Sequence, residues 1–248
     1  MRTVFGCVAV AGLCAIVASV HADERPNFLF LYSDDQRADT IAAWGNEHID
    51  TPVLDGLVAR GYSFKRNYCM GSMHGAVCVP SRAMIMTGQA YHRIPMSLAG
   101  VDTLPQRLGE AGYTTFISGK WHNDPPALVR SFQQGKAIML GGMSNHVEVP
   151  LVDILPERKL GNQRYGDGFS TEMFADEAIR FLSEYDGDAP FYCYVPFTAP
   201  HDPRQPPQEY RDKYYARNVP LPPNFMPQHP FDNGALLTRD ENLAAWPR

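Results

Sequence analysis

Phe28-Leu29-Phe30-Leu31-Tyr32-Ser33-Asp34-Asp35 decides the fold class of this chain. Five apolar or aromatic residues in a row, stopped by a serine and two aspartates, predict a strand buried on both faces. A half-exposed hairpin strand would alternate instead. Downstream, Thr51-Pro52 opens a helix with a capping residue and a proline at the first helical position, and Gly61 closes it. The pattern then recurs. Residues 104–111 read as a helix stopped by Gly112, and residues 113–118 as a strand running into Gly119-Lys120-Trp121-His122. A third helix carries Phe174, Ala178, Phe181 and Leu182 on one face, capped at Ser170 or Thr171. It leads to a strand at 191–197 and then to Thr198-Ala199-Pro200-His201.

Alternating helices and strands predict an α/β fold, a mostly parallel sheet covered by helices on both sides. Ligands of such sheets gather beyond the carboxyl ends of the strands. Asp34, Asp35, Lys120, His122 and His201 each follow a predicted strand, so they are expected along one edge despite their separation in sequence. Adjacent aspartates at a strand end are hard oxygen ligands suited to Ca²⁺ or Mg²⁺. Residues 133–150, rich in Gly and Met, carry no assignable element. From Pro200 onward, closely spaced prolines exclude long regular elements and predict an ordered loop, a wall of the pocket.

Composition narrows the class further. A chain of 248 residues with 44% hydrophobic content is enough for one packed α/β domain. Residues 1–22 read as a signal peptide, with Arg2 as the positive region, an apolar run over 4–20 and small residues at Val20-His21-Ala22. The run is short for a membrane span, so an exported chain, periplasmic or extracellular and without a stable membrane anchor, is expected to start at Asp23. The formal charge of −5, with no block of Lys or Arg, speaks against nucleic acid or anionic membranes as partners. Any anionic substrate must meet local positive charge. Of five cysteines, Cys69, Cys78 and Cys193 survive cleavage, and an odd number in an exported protein leaves at least one unpaired.

Cys78-Val79-Pro80-Ser81-Arg82, followed by Thr87-Gly88, resembles the C-x-P-S-R signature of the sulfatase family. Gly119-Lys120-Trp121-His122 and Ala199-Pro200-His201 resemble two later elements of the same family, in the same order. The resemblance spans residues 26–248 and implies a three-layer sandwich of the alkaline-phosphatase type, with residues 23–248 as the amino-terminal portion of the catalytic domain. It implies that a formylglycine-generating enzyme oxidises Cys78 to formylglycine, whose hydrate attacks the sulfur of a sulfate ester, plausibly a sulfated carbohydrate. Asp34 and Asp35, with the modified Cys78, are the implied ligands of a divalent ion, Ca²⁺ or alternatively Mg²⁺. Arg82 is implied to balance charge and hold the modified residue, Lys120 to contact sulfate, His122 to bond the formylglycine hydroxyl, and His201 to protonate the leaving oxygen. Pro80 is expected as the first residue of a helix running to Thr87, which sets Cys78 near its positive end.

The resemblance stops short of a whole sulfatase. The family completes its metal site with a second acidic pair after a later strand. Asp232-Asn233-Gly234 looks like that pair, but the prolines before it break any buried strand, so it reads as a turn. With few ligands and a sheet cut short, these 248 residues alone are expected to be marginally stable and weakly active or inactive. The alternatives are a phosphonate or phosphate monoester hydrolase of the same superfamily, and a non-catalytic sulfatase remnant.

Overall fold

The computed structural model describes residues 25–68, 70–71, 77–223 and 225–226. The expected signal peptide, Cys69 and the Asp232-Asn233-Gly234 turn lie outside the described residues.

The first strand, β1 (Phe28–Tyr32), is followed by α1 (Pro52–Arg60), α2 (Cys78–Thr87) and α3 (Leu104–Glu110). Then come β2 (Thr114–Lys120), α4 (Pro125–Ser131), β3 (Gln134–Met139), β4 (Pro150–Ile154) and β5 (Leu160–Tyr165). The described part ends with α5 (Ser170–Glu184), β6 (Phe191–Pro196) and α6 (Gln208–Tyr215). The strands form one sheet in the order β1-β6-β2-β3-β4-β5. The first four are parallel, and β4 and β5 return antiparallel as a meander.

Alternate residues of the central strands feed two separate cores. Ile117, Tyr192 and Tyr194 pack with Met86 of α2 and Leu128 of α4 on one face. Phe116, Cys193 and Val195 pack with Phe174 and Ala178 of α5 on the other. The period-2 geometry of strands produces this division, and the result is a helix–sheet–helix sandwich. Phe181 closes the α5 face by stacking on Phe116, with ring centroids 4.4 Å apart.

Several expectations are corrected. β1 is not buried on both faces: Leu29 and Leu31 are about half exposed. The strand pairs with β6 on one side only among the described elements, and α1 buries none of its residues to cover it. The Thr51 hydroxyl does not cap α1; it donates to Asp55 Oδ1 at 2.8 Å and accepts from the Ala42 N–H. Nor do Ser170 or Thr171 cap α5, because Phe169 occupies the cap position and Ser170 turns inward. α2 starts at Cys78 itself, so Pro80 is its third residue. The Gly- and Met-rich stretch is not formless, since it supplies β3 and the turn into β4. A two-turn helix, α6, interrupts the proline-rich tail.

Candidate active site

Because β1, β2, β3 and β6 run parallel, the segments that follow them emerge on one edge. Asp34 and Asp35 follow β1, Lys120 ends β2 with His122 just beyond, and His201 follows β6. The Asp34 N–H donates to the Ala199 carbonyl at 3.1 Å, which ties the first of these segments to the last. α2 brings the start of its helix to the same edge: the Cys78 thiol faces Asp35 Oδ1 at 4.0 Å. The predicted convergence is therefore observed for all five strand-end residues and for Cys78.

At the base of the site Asp34, 4% exposed, accepts a hydrogen bond from the fully buried Lys120 ammonium on its Oδ2. Arg82, one turn into α2, reaches the same oxygen at 3.5 Å and donates to the Lys120 carbonyl at 2.5 Å. Its guanidinium lies over the Tyr32 ring, 5.2 Å from the centroid. Arg82 thus touches Asp34 and Lys120, a base beneath the site. Burial alone raises the Asp34 carboxyl, but Arg82, Lys120 and His201 outweigh it and hold the group below its ordinary range.

Towards the opening, His201 Nε2 sits 3.5 Å from Asp35 Oδ2, while its Nδ1–H donates to the Asp202 carbonyl at 2.8 Å. Asp35 is about half exposed and adopts a left-handed φ of 61°. His122 does so too, at φ 66°. Non-glycine residues held at such angles store strain, which the surrounding contacts must offset. Gly142, in the turn after β3, makes room for the imidazole of His122: a Cβ there would lie 2.3 Å from its Nε2. Burial, together with the charges of Lys120 and Arg82, pulls His122 down to about 4, and its Nδ1 has no partner among the described residues. The Cys78 thiol is pushed up to about 11, chiefly by burial, with Asp34 and Asp35 adding to the shift. As a thiol it is protonated at neutral pH and a poor nucleophile.

The family model for sulfatases matches residues 26–228. The chain belongs to the sulfatase family. It is 31% identical over 235 residues to an uncharacterized sulfatase of Schizosaccharomyces pombe, covering 78% of this chain and 41% of that one. It is 27% identical over 228 residues to the N-acetylglucosamine-6-O-sulfatase of Bacteroides thetaiotaomicron, covering 89% and 38% respectively. A solved structure of a protein in complex with its substrate, D-glucosamine-2-N,6-O-disulfate, superposes with a TM-score of 0.66 at 26% identity, covering 81% of this chain and 40% of that one. This sulfatase chain spans roughly two fifths of the length of these relatives.

Sulfatases generally use a divalent metal ion, and the donor set of this chain fits one in part. Ligand atoms of Asp34, Cys78 and His201 lie within 4.8 Å of one another, with the Asp35 carboxylate beside them. A hard cation takes oxygen in preference to sulfur, so Asp34 and Asp35 suit it as they stand and Cys78 does so only once oxidised to an oxygen-bearing group. Two residues of the site escaped sequence reasoning. Asn123, buried, donates to the Val79 and Met96 carbonyls and ties the turn after β2 to the start of α2. His146 bonds the His201 carbonyl. Neither stands in a recognisable motif, and no signal in the sequence marks them.

Proposed function

We propose that this chain is the amino-terminal part of an exported sulfuric ester hydrolase that works through formylglycine at position 78. The observation that carries the reading is the meeting of Cys78 with Asp34, Asp35, Lys120, His122 and His201 at one sheet edge, beside a thiol too basic to act unmodified. A formylglycine-generating enzyme, using an external two-electron oxidant, breaks the C–S bond of Cys78. The sulfur leaves at the sulfide level as water supplies the carbonyl oxygen, and the resulting aldehyde is then hydrated to a geminal diol. One hydroxyl of the diol attacks sulfur and passes its proton to Asp35. The S–O bond to the alcohol breaks, and His201 gives the leaving oxygen a proton from Nε2, its Nδ1–H staying on the Asp202 carbonyl. His122, uncharged at neutral pH, then accepts a hydrogen bond from the second hydroxyl at its unpartnered Nδ1, and the proton of that hydroxyl passes to water. The aldehyde re-forms as the C–O bond to sulfate breaks, and water restores the diol. Lys120 and Arg82 supply fixed positive charge against the anionic group. Asp34, Asp35 and the diol would hold the divalent ion, Ca²⁺ by preference for a site open to many oxygens, and the ion's chemistry is to draw charge from sulfate.

A sulfated sugar is the substrate class we favour, supported by two of these relatives, with a glucosamine sulfate as the first compound to try. Residues 1–22 act as the export signal, and no helix among the described residues is long and apolar enough to cross a membrane.

The decisive experiment has two parts. The tryptic peptide spanning 67–82 of the chain, isolated from cells that contain a formylglycine-generating enzyme, is expected to show the mass loss of CH₂–SH becoming CHO. The protein is then assayed with 4-nitrophenyl sulfate and 4-nitrophenyl phosphate, each with Ca²⁺ present. Sulfate turnover that exceeds phosphate turnover and vanishes in Cys78→Ala supports the reading. A fully modified protein indifferent to Cys78→Ala supports the remnant alternative instead.

A further inference from the structure

Behind His201 lies a buried polar cluster that the reaction above does not use. Its centre is His146, in the connection between β3 and β4 and 4% exposed. His146 Nε2 sits 3.0 Å from the backbone carbonyl oxygen of His201. A carbonyl oxygen only accepts, so Nε2 carries the proton. Nδ1 is then an acceptor, and it faces the hydroxyls of Thr198 at 3.1 Å and Ser170 at 3.2 Å. The two hydroxyls are 2.7 Å apart, so one donates to Nδ1 and the other donates to the first. Both residues are buried. The ring is also fixed through its own backbone: the His146 N–H donates to Gln205 Oε1 at 3.0 Å, and the His146 carbonyl accepts from the Ser170 N–H at 2.7 Å. Through its ring and its backbone, His146 therefore joins the first residue of α5, Thr198 in the segment after β6, and the loop beyond His201.

We propose that His146 is the positioning residue of His201. Its Nε2–H bond fixes the turn from Thr198 to His201, and so holds His201 Nε2 towards Asp35 and the Cys78 end of α2. The proposal deepens the function given above and rests on it only where turnover is the readout. Loss of the bond frees a carbonyl on the very residue that must meet the leaving oxygen. A displacement near 1 Å of a reacting group costs about 10²-fold in rate.

The test compares the wild-type chain with His146→Ala, His146→Gln and His146→Asn. A glutamine amide reaches the place of the imidazole Nε2, whereas an asparagine amide reaches only that of Nδ1. In ¹⁵N-histidine-labelled protein, His146 is expected as the Nε2–H tautomer. The His201 ring signals are expected to shift or broaden in His146→Ala and His146→Asn and to return in His146→Gln, with the His92 signal unchanged throughout. With 4-nitrophenyl sulfate, kcat is expected to fall by about 10- to 100-fold in the alanine and asparagine variants, with KM little changed, and to recover in the glutamine variant. His201 signals that are identical in all folded variants, or rescue by asparagine as good as by glutamine, overturn the proposal. Should His146→Ala fail to fold, the glutamine–asparagine comparison decides alone, and if that pair also fails, Thr198→Val decides by the same His201 signals. Turnover is not required of these 248 residues alone, so where the wild-type chain lacks it the His201 signals decide the positioning role by themselves.

Discussion

Gly119→Ala is the substitution whose cost can be worked most directly from the structure. β2 and β6 pair through Thr114–Ile117 and Phe191–Tyr194, and beyond that ladder Gly119 passes close to Pro196. A Cβ on Gly119 would lie 2.1 Å from the Pro196 carbonyl oxygen and 2.9 Å from its carbonyl carbon. Ordinary C···O contacts in sheets are about 3.3 Å or more, so the two strand ends would have to part by about 1 Å. Backbone stands on both sides of the contact, and no flexible side chain can yield. Gly119 also has a φ of +129°, which costs an alanine about 1–3 kcal/mol, and overpacking adds about 1–3 kcal/mol more. Gly45→Ala is the control: its φ is +107°, and its Cβ would meet nothing within 4 Å. Urea unfolding, followed by the fluorescence of the buried Trp121, is expected to show Gly119→Ala destabilised by at least about 2 kcal/mol more than Gly45→Ala. Equal losses in the two variants would refute the claim that close strand approach, rather than backbone conformation, requires glycine before Lys120.

Lys120→Met strands the Asp34 carboxylate with Arg82 at 3.5 Å as its remaining ion pair, so a loss of about 3–5 kcal/mol is expected in urea titrations without added metal. The double variant Asp34→Asn/Lys120→Met should recover part of that loss. His122, pulled from 6.5 down to about 4, should remain uncharged in histidine NMR titrations until pH falls near the lower value. The sign follows from linkage: between those limits the unfolded imidazole binds a proton that the folded one refuses, so His122 makes stability fall as pH drops from about 6.5 to about 4. Unmodified Cys78, pushed up to about 11, should resist iodoacetamide at neutral pH in the folded chain and react once urea unfolds it.

Much of the architecture was legible because it is written in local pattern. The strands at β2 and β6 and the helix at α5 follow from apolar runs and helical spacing, and these elements carry Lys120, His201 and the core residues Phe174 and Ala178. β3 was not legible. Its six residues, Gln134–Met139, include a glycine, a lysine and a glutamine, and its partners lie in β2 and β4, so the pairing depends on neighbours that no local pattern names. The exposure of β1 was misread for the opposite reason: its apolar run reports what the strand is suited to bury, whereas actual burial depends on what lies beside it.

The sequence by itself determined the family of this chain and the candidate residues for its chemistry, because Cys78 to Arg82, Asp34-Asp35, Lys120-Trp121-His122 and His201 are particular residue types in fixed local order. Only the tertiary structure decided how those residues work on one another. Lys120 meets Asp34 across 86 positions, and His146 reaches His201 across 55. The protonation of His122 and Cys78 is set by burial and by charges drawn from other strands. Desolvation and Coulomb interaction fall off with distance in space and take no account of separation along the chain, so only the fold can set them.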